Sequence, residues 1–67
     1  MKYDELTEMA RAHNREQSPG SESSDWHEYV ADCVRFTGHT PWSQAILDED
    51  VPESFANYWV SIFKGED

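Results

Sequence analysis

Residues 23–38, SSDWHEYVADCVRFTG, contain the clearest helical pattern in the sequence and decide the fold class. A serine precedes Asp25 and can cap a helix, Glu28 lies in its first turn, and Gly38 is a natural C-terminal stop. Apolar residues recur at three- and four-residue steps, as in a helix with one buried face. The pattern therefore predicts a helix over 25–37. Its apolar stripe consists of Trp26, Tyr29, Val30, Cys33 and Val34.

Two segments on either side of this stretch have the same helical period. Residues 3–16 and residues 52–64 each place apolar side chains at three- and four-residue steps. Pro52 at the start and Gly65 just past the end are typical of the limits of a helix. A strand over 58–63 is the alternative for the later segment, but these limiting residues favour the helix.

A shorter helix and one long break complete the predicted organisation. Thr40 as N-cap and Pro41 at the first helical position indicate a helix over 40–48. Residues 17–24, QSPGSESS, combine a Pro-Gly turn signal with a serine cluster and predict a flexible loop. We therefore expect an all-α fold, a single small acidic domain over 1–67 built as a compact bundle of three to four short helices. The predicted helices are 3–16, 25–37, 40–48 and 52–64.

Net charge is the most unusual feature of the composition. Fourteen Asp and Glu against five Lys and Arg give the 67-residue chain a formal net charge of −9 at pH 7. Self-repulsion at this charge density opposes compaction, so the acidity should serve solubility, high-salt adaptation or a basic partner. Direct binding to nucleic acid or to an anionic membrane is disfavoured, because phosphate contacts need clustered Lys and Arg.

The chain has one cysteine, which indicates its compartment. Cys33 cannot form an intramolecular disulfide, and this favours a reducing cytoplasm. The polar start of the sequence predicts no signal peptide, and no apolar run approaches the length of a membrane span. We therefore expect a cytoplasmic protein. Because Cys33 lies on an apolar stripe, we also expect a buried and unreactive thiol.

Neither catalysis nor a cofactor is predicted. His13, His27, His39 and Cys33 do not have the short paired spacings of a metal site. There is no Gly-rich phosphate loop and no nucleophile elbow. So short a bundle is also expected to have little interior to spare for a substrate pocket of about 300 Å³ or more. The prediction is a protein that is not an enzyme and that binds neither cofactor nor metal.

Carboxylates on the helix over 25–37 form the principal candidate site. At about 100° per residue, three of them fall within roughly 60° of one another and lie opposite the apolar stripe. A second acidic group follows in a stretch that contains no Lys or Arg from 36 to 63. A nearby tryptophan is the expected aromatic anchor of an interface. The predicted partner-binding residues are Asp25, Glu28, Asp32, Trp42, Asp48, Glu49, Asp50 and Glu53.

In size, acidity and lack of a catalytic motif, the chain resembles the small inhibitor proteins that bacteriophages and mobile elements use against host nucleic-acid machinery. Anti-restriction and anti-CRISPR proteins are examples. The resemblance is one of type and assigns no residue. It implies an inhibitor that docks on a basic protein or nucleoprotein complex, where a row of carboxylates imitates the charge of a phosphate backbone.

Two alternatives remain open for the acidic, aromatic-rich chain. The first is a structural or assembly protein that acts through a homo-oligomer, since an oligomer would bury surplus aromatic rings. The second is an acidic surface that serves only solubility in high salt. Folding that required molar salt would favour the second alternative.

Overall fold

The structure confirms the all-α fold. It is a computed structural model that describes residues 1–65, so the last two residues of the predicted domain lie outside the described residues. Within residues 1–65 there is no strand, and the only β-pairing is an isolated antiparallel bridge between Lys2 and Asp50. The strand alternative over 58–63 is wrong, because this segment is helical. The helices are α1 (Tyr3–Gln17), α2 (Ser24–Thr37), α3 (Gln44–Leu47) and α4 (Glu53–Lys64).

The long helices begin and end at residues that the sequence indicates. The Trp26 N–H donates to Ser23 Oγ at 3.2 Å, so Ser23 caps α2 and satisfies one of its free N–H groups. Gly38 ends α2 with a φ of 77°, a left-handed conformation that glycine adopts without a steric cost. Pro52 precedes α4 and Gly65 ends it in the same left-handed conformation. The predicted bounds of these helices are therefore close to the observed ones.

The break between α1 and α2 is shorter than the predicted 17–24. It comprises residues 18–23, because α1 includes Gln17 and α2 begins at Ser24. The backbone N–H of Ser23 donates to Asn14 Oδ1 at 2.6 Å, which fixes the end of this loop to α1. Its flexibility stays a prediction.

The helix predicted over 40–48 is wrong in its extent. Only Gln44–Leu47 is helical, and Ser43 rather than Thr40 is the N-cap. The Ser43 N–H donates to the Thr40 carbonyl at 3.0 Å and closes a turn before the helix begins. Pro41 is buried within this turn, and its carbonyl accepts from an α1 threonine hydroxyl at 3.4 Å. Burial of Pro41 against α1 therefore takes precedence over an earlier helix start.

α2 buries a narrower face than the sequence predicts. Trp26, Tyr29 and Cys33 are buried and Val30 packs partly against the core. Val34, the fifth member of the predicted stripe, is 43% exposed. Because successive residues are about 100° apart, Val34 lies on the flank of the buried face and points to solvent.

α1 is the helix around which the others pack. It contacts α2, α3 and α4, whereas direct backbone approach between α2 and α4 is sparse. The ring centroids of Tyr3 and Phe55 are 6.1 Å apart and those of His13 and Phe63 are 5.4 Å apart, so α1 and α4 run in the same direction. Phe36 at the end of α2 contacts Phe55 at the start of α4, so α2 runs antiparallel to both.

Aromatic rings fill the space between α2 and α4. Tyr29 is fully buried and pairs with Trp26, Phe55, Trp59 and Phe63 at centroid distances of 5.5–6.4 Å. Each buried aromatic side chain removes roughly 150–250 Å² from water, so a few rings supply much of the core of a short chain. The remaining aromatic residues join the same network through these rings. They are Tyr3, Phe36, Trp42 and Tyr58.

The residues before α1 pair with the residues before α4. The Val51 N–H donates to the Met1 carbonyl at 2.9 Å, and the Tyr3 N–H donates to the Glu49 carbonyl at 3.1 Å. Val51 is buried, so this pairing also closes one end of the core. The start of α1 and the start of α4 are thereby held side by side.

Tyr3→Phe is expected to leave the protein as stable as before or to raise its free energy of unfolding by about 1 kcal/mol. Tyr3 is buried, and its hydroxyl has no hydrogen-bond partner among residues 1–65. Removing a buried and unsatisfied polar atom recovers its desolvation cost while the ring contact with Phe55 remains. Urea denaturation measures the effect, with Tyr58→Phe as the exposed control. A loss of stability at Tyr3 alone would contradict the assignment.

Candidate functional site

An open groove lies at the surface between α2 and α4. Its volume is about 390 Å³, within the usual range of ligand sites. The groove opens at the surface, so it does not test the expectation that the interior of so short a bundle has little room for a substrate pocket. We call it the α2/α4 groove. Its lining residues are Asp32, Arg35 and Phe36 from α2, and Ser54, Phe55, Tyr58 and Trp59 from α4.

Two half-exposed rings form the lips of the α2/α4 groove. Phe36 and Tyr58 are each 59% exposed, although both are large apolar side chains. Phe36 packs on Phe55 at 5.6 Å, and Tyr58 packs edge-on against Trp59 at 5.2 Å, so each exposed ring rests on a more buried one. Exposed aromatic rings held by packing are typical of binding surfaces, because such side chains lose little conformational entropy when a partner binds.

The groove exists because bulky rings keep α2 and α4 apart. Tyr29, Trp59 and Phe63 occupy the space between the two helices along most of their length. At the end where α2 stops, Phe36 and Phe55 continue this ring layer. Phe55 also packs on Tyr3 of α1, whereas Phe36 is left 59% exposed. The ring layer between α2 and α4 is therefore covered along most of its length and open to solvent at the end where α2 stops.

The predicted carboxylate stripe lies on α2 and leads into the groove. Asp32 lines the groove itself, and Glu28 and Asp25 follow at one-turn steps toward the start of α2. The Asp25 carboxylate contacts His13 Nε2 at 3.1 Å, and the Asp32 carboxylate pairs with Arg35. Glu28 is exposed and makes no ion pair within residues 1–65. Two of the three predicted carboxylates thus have a base of their own.

The second predicted acidic group is exposed and lies at the paired starts of α1 and α4. Asp50 Oδ1 is 3.2 Å from Lys2 Nζ, whereas Asp48, Glu49 and Glu53 make no ion pair in the described part of the chain. The first turn of α1 adds two further carboxylates at the same end. Exposed single pairs contribute little to stability, so this concentration of charge is not explained by folding.

Phe36 lies between the two predicted acidic groups. It lines the α2/α4 groove beside Asp32, and it also lines a neighbouring depression of about 360 Å³ together with Glu49 and Asp50. His39 lies in the same depression. One exposed aromatic ring is therefore flanked by carboxylates on both sides.

Trp42, the predicted aromatic anchor, is 50% exposed but lies outside the groove. Its ring stacks on the buried Trp26 at 6.2 Å with an interplanar angle of 23°. The contact places Trp42 near the first turn of α2, whereas Phe36 marks the last turn. The two exposed rings consequently belong to different parts of the surface.

Neither Phe36 nor Tyr58 is among the predicted partner-binding residues. Tyr58 is, with Trp42 and Trp59, a candidate interface anchor by residue type, but only Trp42 stands in the predicted set. Phe36 follows the end of the apolar stripe of α2. It stands seven residues after Tyr29 and four residues after Asp32, so helical geometry places it where the apolar stripe meets the carboxylate stripe. That position alone does not show whether the ring is buried or exposed.

A small buried polar group lies beneath this surface. The hydroxyls of Thr7 and Tyr29 are 2.9 Å apart, and Cys33 is fully buried one turn after Tyr29. Burial raises the pKa of the Cys33 thiol to about 11 and also raises the pKa of the Tyr29 hydroxyl. The thiol is therefore neutral near pH 7, as expected of a core cysteine. Within residues 1–65, no group of three or more His, Cys, Asp or Glu is arranged to hold a metal ion.

Stability is expected to fall as the pH rises from about 9 to about 11. The pKa of Cys33 is raised from 9.0 to about 11 in the folded state, so the unfolded chain releases this proton first. The stabilising contribution is complete below the lower pKa and disappears as the pH passes the higher one. Thermal unfolding at pH 8, 9, 10 and 11 measures this change. In Cys33→Ala the fall should be smaller, and identical pH profiles for the two proteins would contradict the prediction.

Comparisons with known proteins assign no role to the residues of the α2/α4 groove or of the two acidic groups. No protein-family model matches the sequence, and neither a curated protein nor a solved structure was found to match it. Among the described residues, every helix is too short or too polar to cross a lipid bilayer.

Proposed function

We propose that this chain is a protein-binding inhibitor that docks on the basic, nucleic-acid-binding surface of a partner protein or nucleoprotein complex. The observation that carries the proposal is the exposed ring of Phe36 between Asp32 on one side and Glu49 and Asp50 on the other. Interfaces commonly combine an aromatic anchor at the centre with charged groups at the rim. A partner with Lys and Arg around an apolar patch would be complementary to both features.

The charge of the surface accounts for the choice of partner. Glu28, Asp48, Glu49 and Glu53 are exposed and lack a base within 4.0 Å among residues 1–65, so their field extends into solvent. With a net charge of −9, the whole chain attracts cationic surfaces and repels nucleic acid. Occupation of a nucleic-acid groove by such a surface would compete with the nucleic acid and would weaken as salt is added.

A charge-reversal experiment tests this proposal. Glu28→Lys, Asp32→Lys and Glu49→Lys reverse three carboxylates around Phe36, while Asp25 is left in place because it contacts His13. The matched control, Glu8→Lys, Glu16→Lys and Glu22→Lys, changes the net charge equally at exposed positions outside the groove.

The readout is the set of proteins that each immobilised variant retains from a lysate of the source organism. We expect the groove-side variant to lose a partner that the wild type and the control retain, with binding at least about 100-fold weaker, because like charges placed face to face cost several kcal/mol. The retained partner should be released by duplex DNA or RNA and by high salt. Equal retention on the wild type, the variant and the control would contradict the proposal.

Self-assembly is the second candidate, and the exposed rings of Phe36 and Tyr58 favour it. A symmetric dimer built on the α2/α4 groove would bury both rings. It would also bring two identical carboxylate stripes close together, and the repulsion would oppose the contact. Sedimentation in 0.1–0.5 M salt distinguishes the two functions, since a dimer that Phe36→Ser dissociates would support self-assembly.

A further inference from the structure

We infer that the α2/α4 groove is the docking site for a cationic amphipathic helix of the partner, with large apolar side chains on the face that enters the groove. This inference rests on the proposed function and adds the kind of structural element that the partner presents. It is carried by the shape of the groove, the absence of a strand edge in the described residues, and the charge around Phe36.

The groove offers no backbone partners to an occupant, and this favours a helical occupant. A peptide bound in an extended form gains affinity by adding a strand to a sheet edge. Residues 1–65 offer no sheet edge, because α2 and α4 satisfy their backbone groups internally and the one isolated bridge joins Lys2 to Asp50. An occupant that leaves water must therefore satisfy its own N–H and C=O groups, and a helix does so.

The spacing of the lining residues fits the face of a helix. On α2, Asp32, Arg35 and Phe36 lie at i, i+3 and i+4, and on α4, Phe55 and Tyr58 lie at i and i+3. Two such rows with a gap between them form the groove into which the ridge of a third helix packs. Apolar side chains of the occupant at the same three- and four-residue steps would then meet Phe36, Phe55 and Tyr58.

The charge around the groove determines that the occupant is cationic. Within the lining, Asp32 and Arg35 balance each other, so the excess negative charge lies beside the groove. Glu28, exposed and unpaired, stands one turn before Asp32 on α2, and Glu49 lines the depression on the other side of Phe36. Arg35 is the only base among the residues that line the groove, and it is already paired with Asp32. A second copy of this chain would bring a net charge of −9 to the same place, so a cationic helix is the favoured occupant.

A helical-peptide library displayed on yeast provides the test, with helices of about 15 residues so that they are stable enough to fold on binding. Peptides are selected on the wild-type protein alone, and each enriched peptide is then compared for binding to the double variant Phe36→Ser with Tyr58→Ser. Both side chains are more than half exposed, so the double variant should keep its fold, which circular dichroism checks. We expect enriched peptides with a net positive charge and apolar residues at helical spacing.

A selected peptide is then synthesised and its affinity measured by fluorescence anisotropy. We expect the Phe36→Ser, Tyr58→Ser variant to bind it about 30-fold more weakly or worse, because truncation of central aromatic anchors has effects of this size. Val34→Ser is the matched control, since it removes an exposed apolar side chain of α2 outside the groove and should leave the affinity unchanged. Replacing the Lys and Arg of the peptide by Gln should weaken binding as well.

Several outcomes would overturn the inference. These are a library that yields no peptide dependent on Phe36 and Tyr58, selected peptides that are neutral or acidic, and equal binding by the wild type and the groove variant. A dimer in sedimentation that the groove variant dissociates would assign the groove to a second copy instead. The proposed function is judged separately, because a partner lost by the Lys variants but retained by the Ser variant would keep that function and exclude the groove as its site.

Discussion

Tyr29→Ala is expected to leave the protein largely unfolded at 25 °C. Truncating a buried aromatic side chain to alanine costs about 3–5 kcal/mol. A single core in a chain of this size rarely supplies more than about 3–5 kcal/mol in total. Tyr29 is fully buried and contacts four other rings, so little of the cavity left by its removal can be filled. Loss of the near-UV circular dichroism signal at 25 °C is the measurement.

Tyr58→Ala is the matched control for this prediction. It is the same chemical change on a ring that is 59% exposed, and its cost should stay below about 1 kcal/mol. The comparison separates burial from the loss of an aromatic ring as such. If both variants unfolded, or if neither did, the central position of Tyr29 in the core would be contradicted.

Thr7→Val is expected to lower the free energy of unfolding by about 1–3 kcal/mol although it keeps the shape of the side chain. The Thr7 hydroxyl bonds the Tyr29 hydroxyl at 2.9 Å and the Pro41 carbonyl at 3.4 Å. Valine leaves both of these buried groups without that partner. Tyr29→Phe should cost less, because the Thr7 hydroxyl still has the Pro41 carbonyl to donate to.

A double-mutant cycle tests the Thr7 prediction in urea denaturation. The combination of Thr7→Val with Tyr29→Phe should cost less than the sum of the two single variants, with a coupling of about 1 kcal/mol. The reason is that the double variant no longer leaves a tyrosine hydroxyl without its partner. Strict additivity would show that the two hydroxyls do not interact in solution.

Local sequence signals were sufficient for α1, α2 and α4. Ser23, Gly38 and Gly65 act within one turn of the helix that they limit, so their effect can be inferred without knowing the rest of the fold. The apolar period of each helix likewise indicates which face is buried, although Val34 on α2 and Tyr58 on α4 are exposed. The fold class was therefore predictable from elements in isolation.

The segment before α3 and the α2/α4 groove depend on tertiary contacts and were not predictable in this way. Thr40 and Pro41 have the composition of a helix start, but the burial of Pro41 beside Thr7 on α1 draws them into a turn. The exposure of Phe36 and Tyr58 depends on how far α2 and α4 are held apart by the rings packed between these two helices. Periodicity assigns a residue to a helix face but does not say whether another element covers that face.

The predicted carboxylates were found where helical geometry places them, but their pairing was not foreseen. The His13 contact of Asp25 joins residues on two helices, and it depends on the antiparallel packing of α1 and α2. The Arg35 partner of Asp32 lies three residues away and was available from the sequence. Glu28 is thus the member of the predicted stripe whose charge is most fully available to a partner.

The side-by-side pairing of α1 with α4 has a consequence for the rate of folding. Tyr3 pairs with Phe55 and His13 with Phe63, so each contact between the two helices joins residues about 50 positions apart in the sequence. The entropy of closing such a loop is lost before the contact is gained, and pairings of this kind are slow to form. We therefore expect the docking of α4 on α1 to be the late step in folding, after the helices themselves have formed.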